Sequence, residues 1–231
     1  MQSEQIVVKS DDPRRAELEA AGWVVVSHSW AAQVTASGID VDALSRAVER
    51  GRRHGDVREI RDADLDPVLL LDAVTLADYP GGVATQHHPL TMATARVSPT
   101  RRGFGIVDGD GRVLAVIYVD VDGGTAETEF TVVAAEHRGL GLGTAVKAAS
   151  ILALVREGVD AFRTGGAEEN SAILRANQSL GYLIDERWLT FSPPFARGRR
   201  HRPPDHRAPT SPDSVQACAD ADSPGPSAAP D

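Results

Sequence analysis

The chain has 231 residues, of which 42% are hydrophobic and 25% charged, and its formal net charge is −9. This size and composition predict a globular protein with one sizeable core, and the negative charge argues against a nucleic-acid-binding protein, which needs a basic surface. Because the sequence has neither an apolar run long enough to cross a membrane nor a secretion signal, we expect a cytoplasmic protein with no membrane partner.

We expect no metal site either. The one cysteine, Cys218, lies in a polar tail, which excludes a disulfide framework and a zinc site. The spacing of Asp62, Asp64 and Asp66 is reminiscent of a calcium loop, but the twelfth position is Ala73 rather than glutamate. These carboxylates are better interpreted as acids at the start of a helix.

Residues 1–55 form a predicted N-terminal extension. "IVVK", "PRRAELEAA" and "GWVVVSHSWAAQV" read as strand, helix and strand, and residues 160–191 repeat this order, with Gly22-Trp23 matching Gly181-Tyr182. We therefore expect a partial internal repeat that packs beside the main sheet or mediates a homodimer. "DVDALSRAVERGRRHG" is predicted to be a polar helix that joins the extension to the next domain.

Residues 56–192 alternate between strand and helix patterns. "DVREI" predicts a strand, "ADLDPVLLLDAVTLA" a helix, and the turns "DGDG" and "DVDGGT" link three further strands. A glycine loop and a helix from about residue 141 to 156 follow, and then strand, helix and strand. The order predicts an α/β fold with a mixed sheet, an antiparallel meander followed by parallel βα units, and helices on both faces. Residues 193–231 are proline-rich and are predicted to be disordered.

The segment "EHRGLGLGTAVKAA" at residues 136–149 leads from a predicted strand into a helix. Free backbone N–H groups and the helix dipole make such a loop an anion site. A Walker loop is excluded because Gly143 is followed by Thr144 rather than by lysine and serine or threonine. A Rossmann fingerprint fits poorly, since its third glycine would fall on Thr144. The pattern Arg-x-x-Gly-x-Gly, with Arg138, Gly141 and Gly143, remains.

This motif, in this order of strands, resembles the GNAT superfamily of acyl-CoA-dependent N-acetyltransferases, over residues 56–192. "TVVAAEHRGLGLGTAVKAA" is similar to the family's pyrophosphate-binding segment, and "RTGGAEENSAILRANQSLGY" to its later segment. The variant pattern resembles mycothiol synthase-like, actinobacterial-type members. A plain packing loop with incidental glycines is the alternative interpretation.

The resemblance implies that acetyl-CoA binds between two splayed parallel strands. Its pantetheine arm would pair with the backbone, its pyrophosphate would meet the loop amides, and two asparagines would face it from the far side. The implied cofactor-binding residues are Val132, Val133, Arg138, Gly139, Leu140, Gly141, Leu142, Gly143, Thr144, Asn170 and Asn177.

For catalysis the candidate residues are Glu127 and Glu129, which alternation places on one face of a strand. The resemblance places Glu127 where several members have their general base, although a bulge could exchange the two roles, and two ordinary exposed carboxylates are the alternative. Asn177 stands where many members have an acidic tyrosine, so water would protonate the leaving thiolate.

The acceptor is expected to be a small molecule or another exposed amine. The resemblance directs attention to the first helix and the following loop, where the candidate residues are Asp78, Tyr79, His87 and His88. Two other functions remain open at this point. One is a non-catalytic acyl-CoA-binding module, and the other is a nucleotide-binding domain that uses the same loop.

Overall fold

Eight strands form one sheet in the order β1-β8-β2-β7-β6-β5-β4-β3 in the computed structural model, which describes residues 4–78, 83–85 and 87–194. The strands are β1 (Ile6–Lys9), β2 (Val24–Thr35), β3 (Asp56–Glu59), β4 (Arg101–Val107), β5 (Val113–Asp122), β6 (Thr125–Val133), β7 (Ala161–Ala167) and β8 (Leu183–Ser192). The helices are α1 (Arg14–Ala20), α2 (Val41–Arg52), α3 (Leu65–Thr75), α4 (Met92–Ala95), α5 (Leu142–Arg156) and α6 (Ser171–Ser179). The predicted disordered tail lies outside the described residues from position 195 onward. No helix within the described ranges is long and apolar enough to cross a membrane.

The predicted α/β fold class is confirmed. β3, β4, β5 and β6 pair as an antiparallel meander, and β6 pairs with β7 in parallel. The predicted "DGDG" turn joins β4 to β5, where Gly111 has a φ of 81° that favours glycine. Helices cover both faces, since residues of α2 and α5 belong to one buried apolar cluster and residues of α3 and α4 to another.

The helix that was expected to be a polar linker, α2, carries a buried stripe. Leu44, Ala47, Val48 and Gly51 are buried, at the spacing of one helix face. A Cβ atom on Gly51 would lie 2.7 Å from the Cβ of Ala145, so α2 approaches α5 closely at this point. The apolar side of α2 is thus part of the main core.

β2 inserts between β7 and β8, which the sequence did not predict. It pairs antiparallel with both strands along most of its 12 residues. The parallel βα units expected after the meander therefore have a strand of the N-terminal extension between them. Sequence patterns show where a strand lies but not which neighbours it takes.

The units β1-α1-β2 and β7-α6-β8 are related by a pseudo-twofold axis within the sheet. Ser29 of β2 pairs with Trp188 of β8 at the centre of this symmetry. The residue pairs on one side of this central pair match those on the other side, and each of the two strands has a β-bulge at the equivalent position. β1 pairs antiparallel with β8 in the same way as β7 pairs antiparallel with β2. Each helix ends at a left-handed glycine, Gly22 or Gly181. The amide of the next residue, an aromatic one, donates to the carbonyl five residues back.

Candidate active site

The parallel pairing of β6 with β7 ends after three residue pairs, and the strands then separate. Residues 125–127 pair with residues 161–163, whereas β6 runs on to Val133 and stays paired with β5 on its other side. The later residues of β6 therefore turn one backbone edge toward a gap. The separation of two parallel strands that the resemblance implied is present at this point.

A cavity of about 580 Å³, called the loop cavity below, lies beside this gap. Its lining includes every predicted cofactor-binding residue except Leu140 and Asn177. The lining residues are Thr75, Asp78, Thr131, Val132, Val133, His137, Arg138, Gly139, Gly141, Leu142, Gly143, Thr144, Asn170, Ala172, Ile173, Arg175 and Ala176. Leu140 lies between two lining glycines and is itself 47% exposed.

The three loop glycines have different structural roles. Gly139 and Gly141 have φ angles of 77° and 80°, which L residues with a side chain rarely adopt, and a Cβ on either would meet nothing within 4 Å. Backbone conformation and open space, rather than contact with another part of the protein, account for both. Gly143 is inside α5, where a Cβ would lie 3.5 Å from the Cγ2 of Val133.

The first turn of α5 offers backbone donors to the loop cavity. Gly141 is the N-cap residue and no side chain caps the helix, and the first helical hydrogen bond runs from the amide of Ala145 to the carbonyl of Gly141. The amides of Leu142, Gly143 and Thr144 therefore have no acceptor within the helix. Together with the helix dipole, they form a site suited to an anion such as a phosphate.

Arg138 is held across the loop by two contacts. Its Nη2 lies 2.9 Å from an oxygen of Asp78, and its Nε donates to the carbonyl of Val133 at 3.2 Å. About half of each charged side chain is exposed, so the ion pair is weak and exchangeable. A phosphate arriving at the loop could take the place of Asp78.

The α6 side of the loop cavity contains one predicted residue and one that was not predicted. Asn170 caps α6 by accepting from the amide of Ile173 at 3.2 Å. Arg175 also lines the cavity, across from the glycine loop, and adds a second guanidinium to that of Arg138. Arg175 shares a face of α6 with Ala172 and Ala176, which also line the cavity, and this i, i+3, i+4 spacing was the signal in the sequence that could have identified it.

Asn177 is away from the position expected for a cofactor-binding residue. It is 1% exposed and does not line the loop cavity. Its Oδ1 accepts from the Nζ of Lys147 at 2.8 Å, and the same Nζ donates to Thr164 at 2.8 Å. The buried amine of Lys147 draws the side chain of Asn177 inward, so the expectation is corrected in favour of a role in the core. Burial lowers the pKa of Lys147 to about 7.

The predicted catalytic carboxylates lie in a second cavity of about 720 Å³, called the sheet cavity below. Glu127 is the last residue of β6 that pairs with β7, so it lies where the gap begins. It is exposed and has no hydrogen bond or ion pair within the described part of the chain. Glu127 is thus a carboxylate available to a ligand.

Glu129 occupies a β-bulge and is already paired. Tyr118 and Val119 of β5 face Phe130 and Thr128, which leaves Glu129 as the extra residue. Its carboxylate lies 2.5 Å from a guanidinium nitrogen of Arg101. The bulge considered from the sequence is therefore present, and it gives the two glutamates different surroundings.

The residues considered for the acceptor region divide between the cavities. Asp78 lines the loop cavity, His87 and His88 line the sheet cavity, and Tyr79 lies outside the described residues. His87 is buried, with its Nε2 2.7 Å from an oxygen of Asp72. Its ring stacks on Phe130 at 4.0 Å, so it anchors the loop that follows α3.

Comparison with solved structures identifies the fold as that of GNAT N-acetyltransferases. A tandem GNAT protein from the clavulanic acid biosynthesis pathway is 23% identical, with a TM-score of 0.59 over 81% of this chain and 62% of that chain. A GCN5-related N-acetyltransferase from Kribbella flavida is 16% identical, with a TM-score of 0.56 over 83% and 68%. A GNAT-family acetyltransferase from Colwellia psychrerythraea is 15% identical, with a TM-score of 0.55 over 81% and 64%. The chain thus spans somewhat under two thirds of the first and third proteins. No protein-family model and no curated protein matches the sequence.

Proposed function

We propose that this chain is an N-acetyltransferase of the GNAT superfamily, of the mycothiol synthase-like kind, that transfers the acetyl group of acetyl-CoA to a primary amine. We assign the transferase domain to residues 56–192, with residues 1–55 as an extension that contributes β2 to its sheet and α2 to its core, and with residues 193–231 as a tail. The observation that carries the proposal is the position of Glu127, an unpaired carboxylate at the point where β6 leaves β7.

The loop cavity suits acetyl-CoA. The uncapped amides at the start of α5 would hold the pyrophosphate, with Arg138 and Arg175 adding charge-assisted hydrogen bonds. The free edge of β6 near Val132 and Val133 would pair with the pantetheine amides as a neighbouring strand does. The bound thioester supplies an activated acetyl group.

Glu127 would act on the acceptor. An amine reacts only as the free base, and a carboxylate at the gap can take the proton that the nitrogen loses as it forms its new bond to the acetyl carbon. The carbon–sulfur bond breaks, and the thiolate takes its proton from water, since Asn177 is buried and has no acidic proton. A backbone amide near Val133 would polarise the carbonyl.

Replacement of Glu127 by glutamine tests this assignment. We expect kcat to fall by about 10²- to 10³-fold, while the Kd for acetyl-CoA measured by calorimetry stays the same. Glu168→Gln is the matched control, because Glu168 is an exposed carboxylate that lines neither cavity and whose ion pair within the described residues is with Arg187 at 3.4 Å. Unchanged turnover in Glu127→Gln would refute the role of Glu127 as the base.

A non-catalytic acyl-CoA-binding module is the second candidate. It is favoured by Asn177, which lies in the core beside Lys147 at the position where an acidic tyrosine was sought. Such a module would bind acetyl-CoA and release no CoA with any amine. Assay of CoA release against a broad amine panel, with acetyl-CoA binding measured in parallel, distinguishes the two functions.

A further inference from the structure

Beside the sheet cavity, the ammonium group of Lys9 lies between a carboxylate and an indole ring. Lys9 places its Nζ 2.7 Å from the carboxylate of Glu186 and 5.3 Å from the centre of the Trp188 ring. Trp188 in turn donates from its Nε1 to Glu186 at 3.1 Å. A carboxylate fixed beside an indole face is a favourable site for an alkylammonium ion.

This site and Glu127 open into the same cavity. Glu127, Glu186 and Trp188 all line the sheet cavity, and Lys9 of β1 contacts two of these lining residues, Glu186 and Trp188. Glu127 lies on β6 and Glu186 on β8, with β7 and β2 between them. Three strand spacings correspond to about 14 Å across the sheet, and a register offset of two residues adds about 7 Å along the strands. Long side chains at both ends shorten the gap that an extended small molecule has to bridge.

The charges in the cavity favour a cation at each end. Asp120, Glu127, Glu129 and Glu186 line it together with the single guanidinium of Arg163. Asp120 and Glu129 share the one guanidinium of Arg101, and Glu186 pairs with Lys9 at 2.7 Å and with Arg163 at 3.8 Å. Glu127 is the one carboxylate of the four that has no ion pair within the described residues, and the cavity lining as a whole keeps an excess of negative charge. The Lys9 side chain is 46% exposed, so an incoming ammonium can replace it at little cost.

We propose that the acceptor is a small amine with two cationic groups, of which the reacting nitrogen lies at Glu127 and the second takes the place of the Lys9 ammonium between Glu186 and Trp188. This inference rests on the proposed transferase function. It also gives the N-terminal extension a role, because β1 carries the lysine that competes with the substrate.

The test compares octylamine with the terminal diamine of octane, which differ by one ammonium group at matched length. For the wild-type protein we expect the KM of the diamine to be about tenfold lower than that of octylamine. Glu186→Gln should abolish this difference by raising the KM of the diamine alone. Lys9→Met should lower the KM of the diamine because the internal competitor is gone, and Glu168→Gln should change neither.

Equal KM values for the two amines in the wild-type protein, or equal effects of Glu186→Gln on both, would overturn the inference while leaving the transferase function in place. If neither amine is acetylated, the amine panel described above decides the proposed function, and calorimetry with the diamine decides the inference separately. Binding that weakens in Glu186→Gln and tightens in Lys9→Met supports the site. Binding unaffected by both variants, or no binding, refutes it.

Discussion

The N-terminal unit β1-α1-β2 and the C-terminal unit β7-α6-β8 have the same register and the same glycine turn, yet only the second borders the loop cavity. Their neighbours differ. β7 lies next to β6, which separates from it after three pairs, whereas β1 is the edge strand of the sheet. The comparison shows that the β-α-β unit supplies a scaffold and that the adjoining strand and loop supply the site.

The two units also differ across one symmetric pair of strand positions. Trp30 of β2 faces Gly166 of β7, and the corresponding positions in the other half hold Leu189 and Val8. A Cβ on Gly166 would lie 2.9 Å from the Cζ2 of Trp30. In the C-terminal half, the large side chain of Trp30 lies opposite a glycine, which has no side chain. In the N-terminal half, two side chains of intermediate size, those of Leu189 and Val8, lie opposite each other. Both pairs thus fill the space beside the strands.

Helices α1 and α6 show a similar contrast at the residue whose carbonyl accepts the hydrogen bond that closes the turn at Gly22 or Gly181. In α1 this residue is Leu18, which packs in a small apolar cluster. In α6 it is Asn177, which binds Lys147. The C-terminal unit thus binds a buried amine supplied by α5, for which the N-terminal unit has no counterpart among the described residues. The predictions below test how far the two halves differ.

The largest expected effect is on pH dependence, through Lys147. Burial lowers its pKa from the ordinary value near 10.5 to about 7, and its Nζ contacts Thr164, Asn177 and the ring of Tyr182. Between these two pH values the unfolded chain binds one more proton than the native one, so stability rises with pH, by up to about 1.4 kcal/mol per pH unit.

Urea denaturation of the wild type and of Lys147→Met from pH 7 to pH 10 checks this expectation. Methionine does not titrate, so the unfolding free energy of the Lys147→Met variant should not show the increase with pH that we expect for the wild type. Parallel curves for the two proteins would show that Lys147 stays charged in the native state.

Copying the N-terminal strand pair into the C-terminal unit should have the next largest effect. Gly166→Val should destabilise the protein by about 3 kcal/mol, because Trp30 has to move from its position against the strand. In the double variant Trp30→Leu, Gly166→Val, which reproduces the pair Leu189 and Val8, we expect the cost of the valine to fall by about 1–2 kcal/mol.

Denaturant unfolding of both single variants and the double variant gives the coupling between the two positions. A valine that costs the same in either background would identify Ile173 as the obstacle, since its Cγ2 lies 3.2 Å from the Cβ position of Gly166. In that case the two halves would differ because of their helices and not their strands.

Most elements and the glycine loop could be predicted because they depend on local patterns. Gly139 and Gly141 mark a left-handed turn, and the turns around Gly111 and Gly123 mark the meander. The insertion of β2 was missed because strand neighbours depend on contacts distant in sequence. Asn177 was misplaced for the same reason, since its partner Lys147 is 30 residues away. The pair of Lys9 and Glu186 beside the sheet cavity also joins residues far apart, at a separation of 177 positions.

The smallest expected effect concerns the left-handed glycine that follows the helix in both units. Gly22 and Gly181 have φ angles of 82° and 90°, and alanine at either should cost about 1–2 kcal/mol because a side chain strains the left-handed backbone. The added Cβ would meet only ordinary contacts, at 3.6 Å from Pro194 for Gly22 and 3.5 Å from Val34 for Gly181.

The two costs should therefore agree within about 0.5 kcal/mol in urea denaturation. Gly109→Ala is the control, because Gly109 has no positive φ and its Cβ would meet nothing within 4 Å. That variant should be neutral or slightly stabilising. A much larger cost at Gly181 than at Gly22 would mean that the C-terminal turn also positions α6 against the loop cavity, so the symmetry would then be one of backbone path and not of energy.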